Sequence, residues 1–322
     1  MTEGRLTADI LRQRQSLPLE AKEVWAQQRI RDHLEKTDGD AYVSFSGGKD
    51  STVLLHLARQ VDPRIPAVFC NTGQEYPEIR AFVKTIENVI EIRPDKRFKE
   101  IVNDYGWPVL SKRTADTLEL LQRRGPGNEK LRNYYLTGVR SDGQQTNRPR
   151  IAKKWIYLQD APFKISARCC EFLKKKPFKK YSKQTGRHPM VGIMAADSRD
   201  RLGAYIDRGG CNALRKDGAV SWPLGIWTDD DIWGYLKKHQ IRYAGIYDKG
   251  VSRTGCMFCL FGIQMDTRKN RENRIQALRR SHPKLWDYYV NRLGMREVMD
   301  FLGFPVDPDG QQQELWPEEA EG

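Results

Sequence analysis

Residues 44–51 read Ser44-Phe45-Ser46-Gly47-Gly48-Lys49-Asp50-Ser51, and the fold is decided here. The apolar run Ala41 to Phe45 before the glycines reads as a buried strand. Thr52 to Leu57 after them reads as a helix, with Val53, Leu54 and Leu57 on one face. Two glycines at the junction allow a tight turn and close approach of the backbone to a ligand. Successive N–H groups then converge at the positive end of the following helix. Ser44, Ser46 and Ser51 add hydroxyls, and Lys49 adds a charge. This chemistry suits a polyphosphate. The spacing is neither a Walker A loop, which has four residues between its glycines, nor a dinucleotide G-x-G-x-x-G.

Downstream, Ala67-Val68-Phe69-Cys70 reads as a second strand, running into Asn71-Thr72-Gly73-Gln74-Glu75-Tyr76-Pro77-Glu78. Pro77 marks the first turn of a helix holding Ile79, Phe82, Val83 and Ile86. Val89 to Ile92 is a third strand, and Met190 to Met194 a fourth. Strands alternating with helices predict an α/β fold with a parallel sheet flanked by helices. Ligands in such sheets sit at the carboxyl ends of strands. Ser46 to Ser51 and Asn71 to Glu75 therefore fall on one edge, as two walls of one site. Residues 1–39 read as a helical N-terminal cap, 40–262 as the nucleotide-binding domain, 263–304 as a helical extension and 305–322 as a disordered acidic tail. Gly125-Pro126-Gly127-Asn128 and the polar run Arg140 to Arg150 mark either a lid or a substrate-contacting insertion.

The chain has 322 residues, a net charge of +13 and a pI of about 9.4. From Arg150 to Arg187, twelve Lys and Arg stand against Asp160 and Glu171, a local net of +10. Such a balance favours an anionic partner, nucleotide or nucleic acid, or else a solvated basic face. The arginines and lysines of 268–280 allow the same two readings. No apolar run approaches the roughly 20 residues of a membrane span. Residues 1–5 lack the apolar core of a signal peptide. A cytoplasmic protein without membrane attachment is expected, with its six cysteines reduced.

In a reducing compartment, cysteines favour metal or catalysis. Adjacent Cys169 and Cys170 are poorly placed for a disulfide. Cys256-Met257-Phe258-Cys259 offers two thiolates about one turn apart. Together these four suit a [4Fe–4S] cluster or tetrahedral zinc. Arg168, Lys174 and Arg253 are expected to lower the thiol pKa values. Asp197 and Ser198 read either as a helix cap or, with Arg201, as neighbours of an anionic ligand. Thr228 and Asp231 read as a capping box.

Taken together, Ser46 to Ser51, Asn71-Thr72-Gly73 with Pro77-Glu78, Cys169-Cys170 with Lys174 and Pro177, Gly192 to Arg201, Pro223-Leu224 with Trp227, and Tyr247-Asp248 with Gly250 leading to Cys256 and Cys259 resemble the phosphoadenosine phosphosulfate (PAPS) reductase family. That family is part of the pyrophosphate-loop superfamily, whose fold is adenine nucleotide alpha hydrolase-like. The match covers roughly residues 40–262. The resemblance implies a nucleotide site of Ser44, Ser46, Gly47, Gly48, Lys49, Asp50, Ser51, Asn71, Thr72, Gly73 and Arg201, with Lys49 and Asp50 catalytic and ATP with Mg²⁺ bound. It implies a [4Fe–4S] cluster on Cys169, Cys170, Cys256 and Cys259, with zinc the lesser option. Cys211 is extra, as a buried thiol, a substitute ligand or a sulfur carrier. The chain departs from the family's reductases in four ways: no cysteine follows Cys259, Lys49 is present as in enzymes that bind whole ATP, Met194 stands where Arg is usual, and Asn71 stands where Asp is common. These departures favour an ATP-dependent sulfur-transfer enzyme, forming AMP and pyrophosphate, acting on nucleic acid or a nucleotide with a sulfur donor. The alternatives are a sulfonucleotide reductase making sulfite with a thioredoxin-like reductant, and a non-catalytic nucleotide sensor.

Overall fold

The computed structural model describes residues 6–146, 151–215, 218–266 and 272–307. In chain order the main elements are helices α1 (Ala8–Gln15) and α2 (Leu19–Lys36), strand β1 (Ala41–Phe45), α3 (Lys49–Val61), β2 (Ala67–Cys70), α4 (Pro77–Val83), β3 (Val89–Ile92), α5 (Phe98–Tyr105), β4 (Val109–Leu110), α6 (Lys112–Gln122) and α7 (Glu129–Thr137). They continue with α8 (Lys176–Thr185), β5 (His188–Val191), α9 (Arg199–Asp207), β6 (Asn212–Arg215), β7 (Gly218–Ser221), α10 (Asp229–Lys238), β8 (Leu260–Phe261), α11 (Ile263–Asp266), α12 (Arg274–Ser281), α13 (Pro283–Asp287) and α14 (Met295–Phe301). The chain divides into two compact units. One takes the described residues of Met1–Pro94 and Lys174–Thr254, and the other those of Asp95–Leu173 and Gly255–Gly322.

The first unit is built on a six-stranded sheet in the order β3-β2-β1-β5-β7-β6. All neighbours are parallel except β6 with β7. The chain steps outward from β1 through β2 to β3, then returns to β5 on the other side of β1. That reversal makes the carboxyl end of β1 the topological switch point, where the crevice of an open α/β sheet lies. On one face Tyr42 and Val68 pack with Tyr181 of α8, backed by Ile90, Ile92 and Phe178. Val53, Leu54 and Leu57 of α3 are fully buried, as their spacing predicts. The N-terminal helices belong to this unit: Lys22 of α2, 2% exposed, pairs at 2.6 Å with Asp231 of α10. Breaking such a buried pair costs about 3–5 kcal/mol.

The second unit has a two-stranded parallel sheet, β4 with β8, which the sequence reading did not contain. Its C-terminal part is a series of short helices rather than one long one. Pro283 and Gly294, the latter left-handed at φ 91°, set two of the breaks. Arg274, Arg279 and Arg280, read as facing either an anionic partner or solvent, pair with Asp266, Asp307 and Glu272. Arg268, Lys269 and Arg271 lie outside the described residues, as does the acidic tail from residue 308 onward.

Candidate functional site

The corner at the end of β1 forms as its glycines require. Gly47 is left-handed at φ 72°, and a Cβ there would meet Ile79 and Val83 at 2.8 Å. A Cβ on Gly48 would meet the Thr254 hydroxyl at 2.6 Å. On the other side, Gly192 just past β5 lets that strand pass close to the backbone of Asp50 and Ser51. Ser46 and Ser51 lock the turn. The Ser46 N–H donates to Ser51 Oγ at 3.1 Å, the Gly48 N–H to Ser46 Oγ at 3.3 Å, and Ser51 Oγ donates to the Gly48 carbonyl at 2.9 Å. Gly48 is the N-cap of α3, so the helix's positive end opens at the loop. Ser44 stands half-buried on β1, in register with Val68 and Val191.

Lys49 is 3% exposed, and its ammonium reaches Asp50 Oδ1 at 2.8 Å and the carboxylate of Asp229. Burial works to lower its pKa, but the bonds from Asp229 and Asp50 outweigh that and the net direction is up, so Lys49 stays charged. Asp50 is pushed up by burial. Lys49 opposes this, while Asp197 and Asp229 add to it. Asp229, the first residue of α10, was hidden in the sequence by the capping box beside it. Thr228 and Asp231 do form that box.

Two hydroxyls lie over the loop. Tyr247 Oη accepts the Lys49 N–H at 2.8 Å and lies 2.9 Å from Thr254 Oγ1. Neither residue had been given a role. Both fall in the Tyr247 to Cys259 stretch, which was the available signal.

At the second wall, Asn71, Thr72 and Gly73 lie at the carboxyl end of β2, beside β1 as expected. Their polar groups are engaged locally. Thr72 donates from N and Oγ1 to Glu75, Gly73 N–H donates to Asn71 Oδ1, and Asn71 Nδ2 donates to Glu91. Arg201 pairs with Asp197, which also holds Arg253 at 3.3 Å. Ser198 caps α9, so the capping reading of that stretch holds for Ser198.

All four proposed cluster cysteines fall in the second unit. One short segment frames them. Trp107 N–H donates to the Lys164 carbonyl at 2.8 Å and Ser166 N–H to the Trp107 carbonyl at 3.1 Å, which positions the chain entering Cys169. Two residues on, β4 pairs with β8, which leaves Cys259. Gly106, at φ 108°, makes this approach possible, since a Cβ there would sit 2.2 Å from the Lys164 carbonyl carbon. Cys256 to Cys259 is a turn, with the Cys259 N–H donating to the Cys256 carbonyl at 3.1 Å.

All six cysteines are thiols. The Cys169 thiol is pushed strongly up, by its bond with Cys170, by burial, and by the charges of Cys170, Cys259 and Cys256. For Cys169 this corrects the expected lowering by cations. Arg168 instead pairs with Glu119 at 2.9 Å, and Arg253 pairs with Asp197. The donor chemistry, three further thiols close enough to act on Cys169, fits a thiolate-held iron–sulfur cluster or zinc. As they stand, no group of three or more His, Cys, Asp or Glu among the described residues is arranged to hold an ion. Cys211 is fully buried at the start of β6, 3.2 Å from Tyr205 Oη, and burial raises its pKa.

The chain belongs to the phosphoadenosine phosphosulfate reductase domain family, whose profile matches residues 40–260. The phosphoadenosine 5'-phosphosulfate reductase of Vibrio parahaemolyticus is 34% identical over 252 residues, 77% of this chain and 77% of its own length. An uncharacterized protein of Methanocaldococcus jannaschii is 26% identical over 269 residues, 82% of this chain and 43% of its own length. A second from that organism, at 23% identity, is covered over 50% of its length, so this chain spans about half of these two relatives. The crystal structure of PAPS reductase from Candida auris aligns over 78% of this chain and 96% of its own, at 13% identity and a TM-score of 0.42. No helix among the described residues is long and apolar enough to cross a membrane.

Proposed function

We propose that this protein uses ATP to adenylate an oxygen of a nucleic acid and then replaces that oxygen with sulfur. The observation that carries the reading is the glycine corner with Lys49 buried and charged at the head of α3. A lysine there serves a whole polyphosphate. The acceptor oxygen bonds to the α phosphorus, the bridging P–O bond to the β phosphate breaks, and pyrophosphate leaves in line. A sulfide-level donor then attacks the activated acceptor, and AMP departs with the original oxygen. The chain's part is positioning and charge neutralisation by Lys49 and the loop N–H groups, with Asp50 holding the Lys49 ammonium in place. Cys169, Cys170, Cys256 and Cys259 would hold a [4Fe–4S] cluster, which when bound offers iron as a resting place for sulfur. Such thiols call for a reducing compartment, as in cytoplasm.

The family supports a second reading, reduction of adenylyl sulfate or PAPS to sulfite with two electrons from a thioredoxin-type dithiol. One experiment separates the two. The protein is incubated with α-labelled ATP, nucleic acid and sulfide, and in parallel with either sulfonucleotide and reduced thioredoxin. AMP and pyrophosphate formed together with sulfur in the nucleic acid support the first reading. Sulfite without AMP-forming ATP consumption replaces it with the second. Iron content tests the ligand set: Cys256→Ser is expected to lose iron, and full retention would remove Cys256 from it.

A further inference from the structure

The stretch up to Arg150, read above as a lid or a substrate-contacting insertion, is described as far as residue 146, and its part 125–146 contains a groove that the adenylation chemistry does not use. Lys130, Leu131 and Tyr134 form one face of α7, at positions i, i+1 and i+4. No side chain of α7 is buried. Gly138 ends the helix in a left-handed turn at φ 78°, and the chain folds back as a small hairpin. There Arg140 N–H donates to the Gln144 carbonyl at 2.9 Å and Thr146 N–H to the Gly138 carbonyl at 3.0 Å. The hairpin brings Arg140, Ser141 and Thr146 opposite the helix face across an open groove of about 550 Å³. That is within the range of about 300–1,000 Å³ for small-ligand sites.

The lining is donor-rich: an ammonium, a guanidinium and two hydroxyls around one aromatic ring. Among the described residues it contains no carboxylate. Asp142 lies 3.8 Å from Arg140 Nε, with both side chains at least half exposed, so this pair is well screened. Upstream the pattern is different, since Arg123 and Arg124 are paired with Glu119 and Asp160. Behind the groove, Arg132 donates to Gln159 at 3.0 Å, tying α7 to residues 153–160, which expose Lys153 and Lys154.

We infer that this groove binds a nucleotide of single-stranded nucleic acid, with its phosphates on Lys130 and Arg140 and its base on Tyr134. Cations tracking a backbone with an aromatic platform between them are the recognition chemistry of single strands. The inference rests on the nucleic-acid acceptor proposed above and names where that acceptor is held.

Fluorescence anisotropy of labelled 20-nucleotide DNA and RNA single strands, with a DNA duplex for comparison, tests this on the full chain. The double variant Lys130→Glu/Arg140→Glu is expected to bind single strands at least tenfold more weakly. Its salt dependence should flatten by about 1.4 in the slope of log K against log salt, at ~0.7 per phosphate contact. Tyr134→Ala should weaken binding about 5- to 160-fold, the effect of losing one base stack, and Tyr134→Phe should restore it. Thermal unfolding of each variant serves as the fold control. Parent binding that these variants leave unchanged, or tighter binding of the duplex than of either single strand, overturns the groove alone. No binding by the parent at 50 mM salt overturns the acceptor reading and the groove with it.

Discussion

The loop corner of the first unit and the cysteine segment of the second solve opposite electrostatic problems. Around Lys49 unlike charges meet, with an ammonium held between the two carboxylates of Asp50 and Asp229 and the turn closed by serine hydroxyls. Around Cys169 the neighbours are of one kind, and each thiolate formed raises the cost of the next. The corner is therefore shaped by attraction among its own residues, whereas the thiols oppose one another's ionisation. Geometry alone did not mark the difference, because glycine-enabled close approaches build both places.

The largest effect expected is at the corner. Lys49→Ala should cut AMP and pyrophosphate formation by about 10³-fold, the scale of removing one charge stabiliser from a transition state. Iron content should stay at the parent level. Equal loss of both would dissolve the contrast between the two regions. Next, Gly106→Ala places a Cβ against the Lys164 carbonyl in a left-handed backbone. It should lower stability by about 3 kcal/mol, seen as a reduced denaturation midpoint, and release the thiols to faster alkylation. Unchanged thiol reactivity would mean that residues 106–110 do not position the cysteines.

A smaller effect concerns pH. His33 of α2 is 1% exposed, and burial lowers its pKa to about 4. The unfolded chain binds the proton more readily, so stability is full above the ordinary value near 6.5 and is lost as pH falls toward 4. Between pH 7 and 4.5 the loss is about 2.5 kcal/mol at ~1.4 kcal/mol per pH unit, and His33→Gln should flatten it in thermal melts at those two pH values. The smallest effect tests the hydroxyl over the loop. Tyr247→Phe bares the Lys49 N–H and should lower the ATP KM about threefold, with kcat unchanged, the scale of one neutral hydrogen bond. A rise in KM would instead make Tyr247 a contact to the substrate.

The sheet that holds the corner was legible because its strands announce themselves locally. Ala41–Phe45, Ala67–Cys70 and Val89–Ile92 are apolar runs bounded by turn residues, and all three form in parallel register. The β4–β8 pair was not legible: two residues carry no period, and the partners are about 150 positions apart. Asp229 was missed for a related reason. Its local setting is fully explained by a helix cap, while its contact with Lys49 spans 180 residues. Charge beside the thiols misled because sequence proximity ignores competition. Arg168 was taken by Glu119, a carboxylate 49 residues away.

The embrace of Lys49 by two acids has a bearing on what can enter. A bare polyanion approaching the corner meets Asp50 and Asp229, with Asp197 close enough to act on Asp50. It must pull the ammonium away from them while adding negative charge of its own. A triphosphate escorted by a divalent cation brings the compensation with it, and lets the displaced carboxylates turn toward that ion. Under the proposed ATP reading, the corner is expected to take the escorted nucleotide in preference to the naked one.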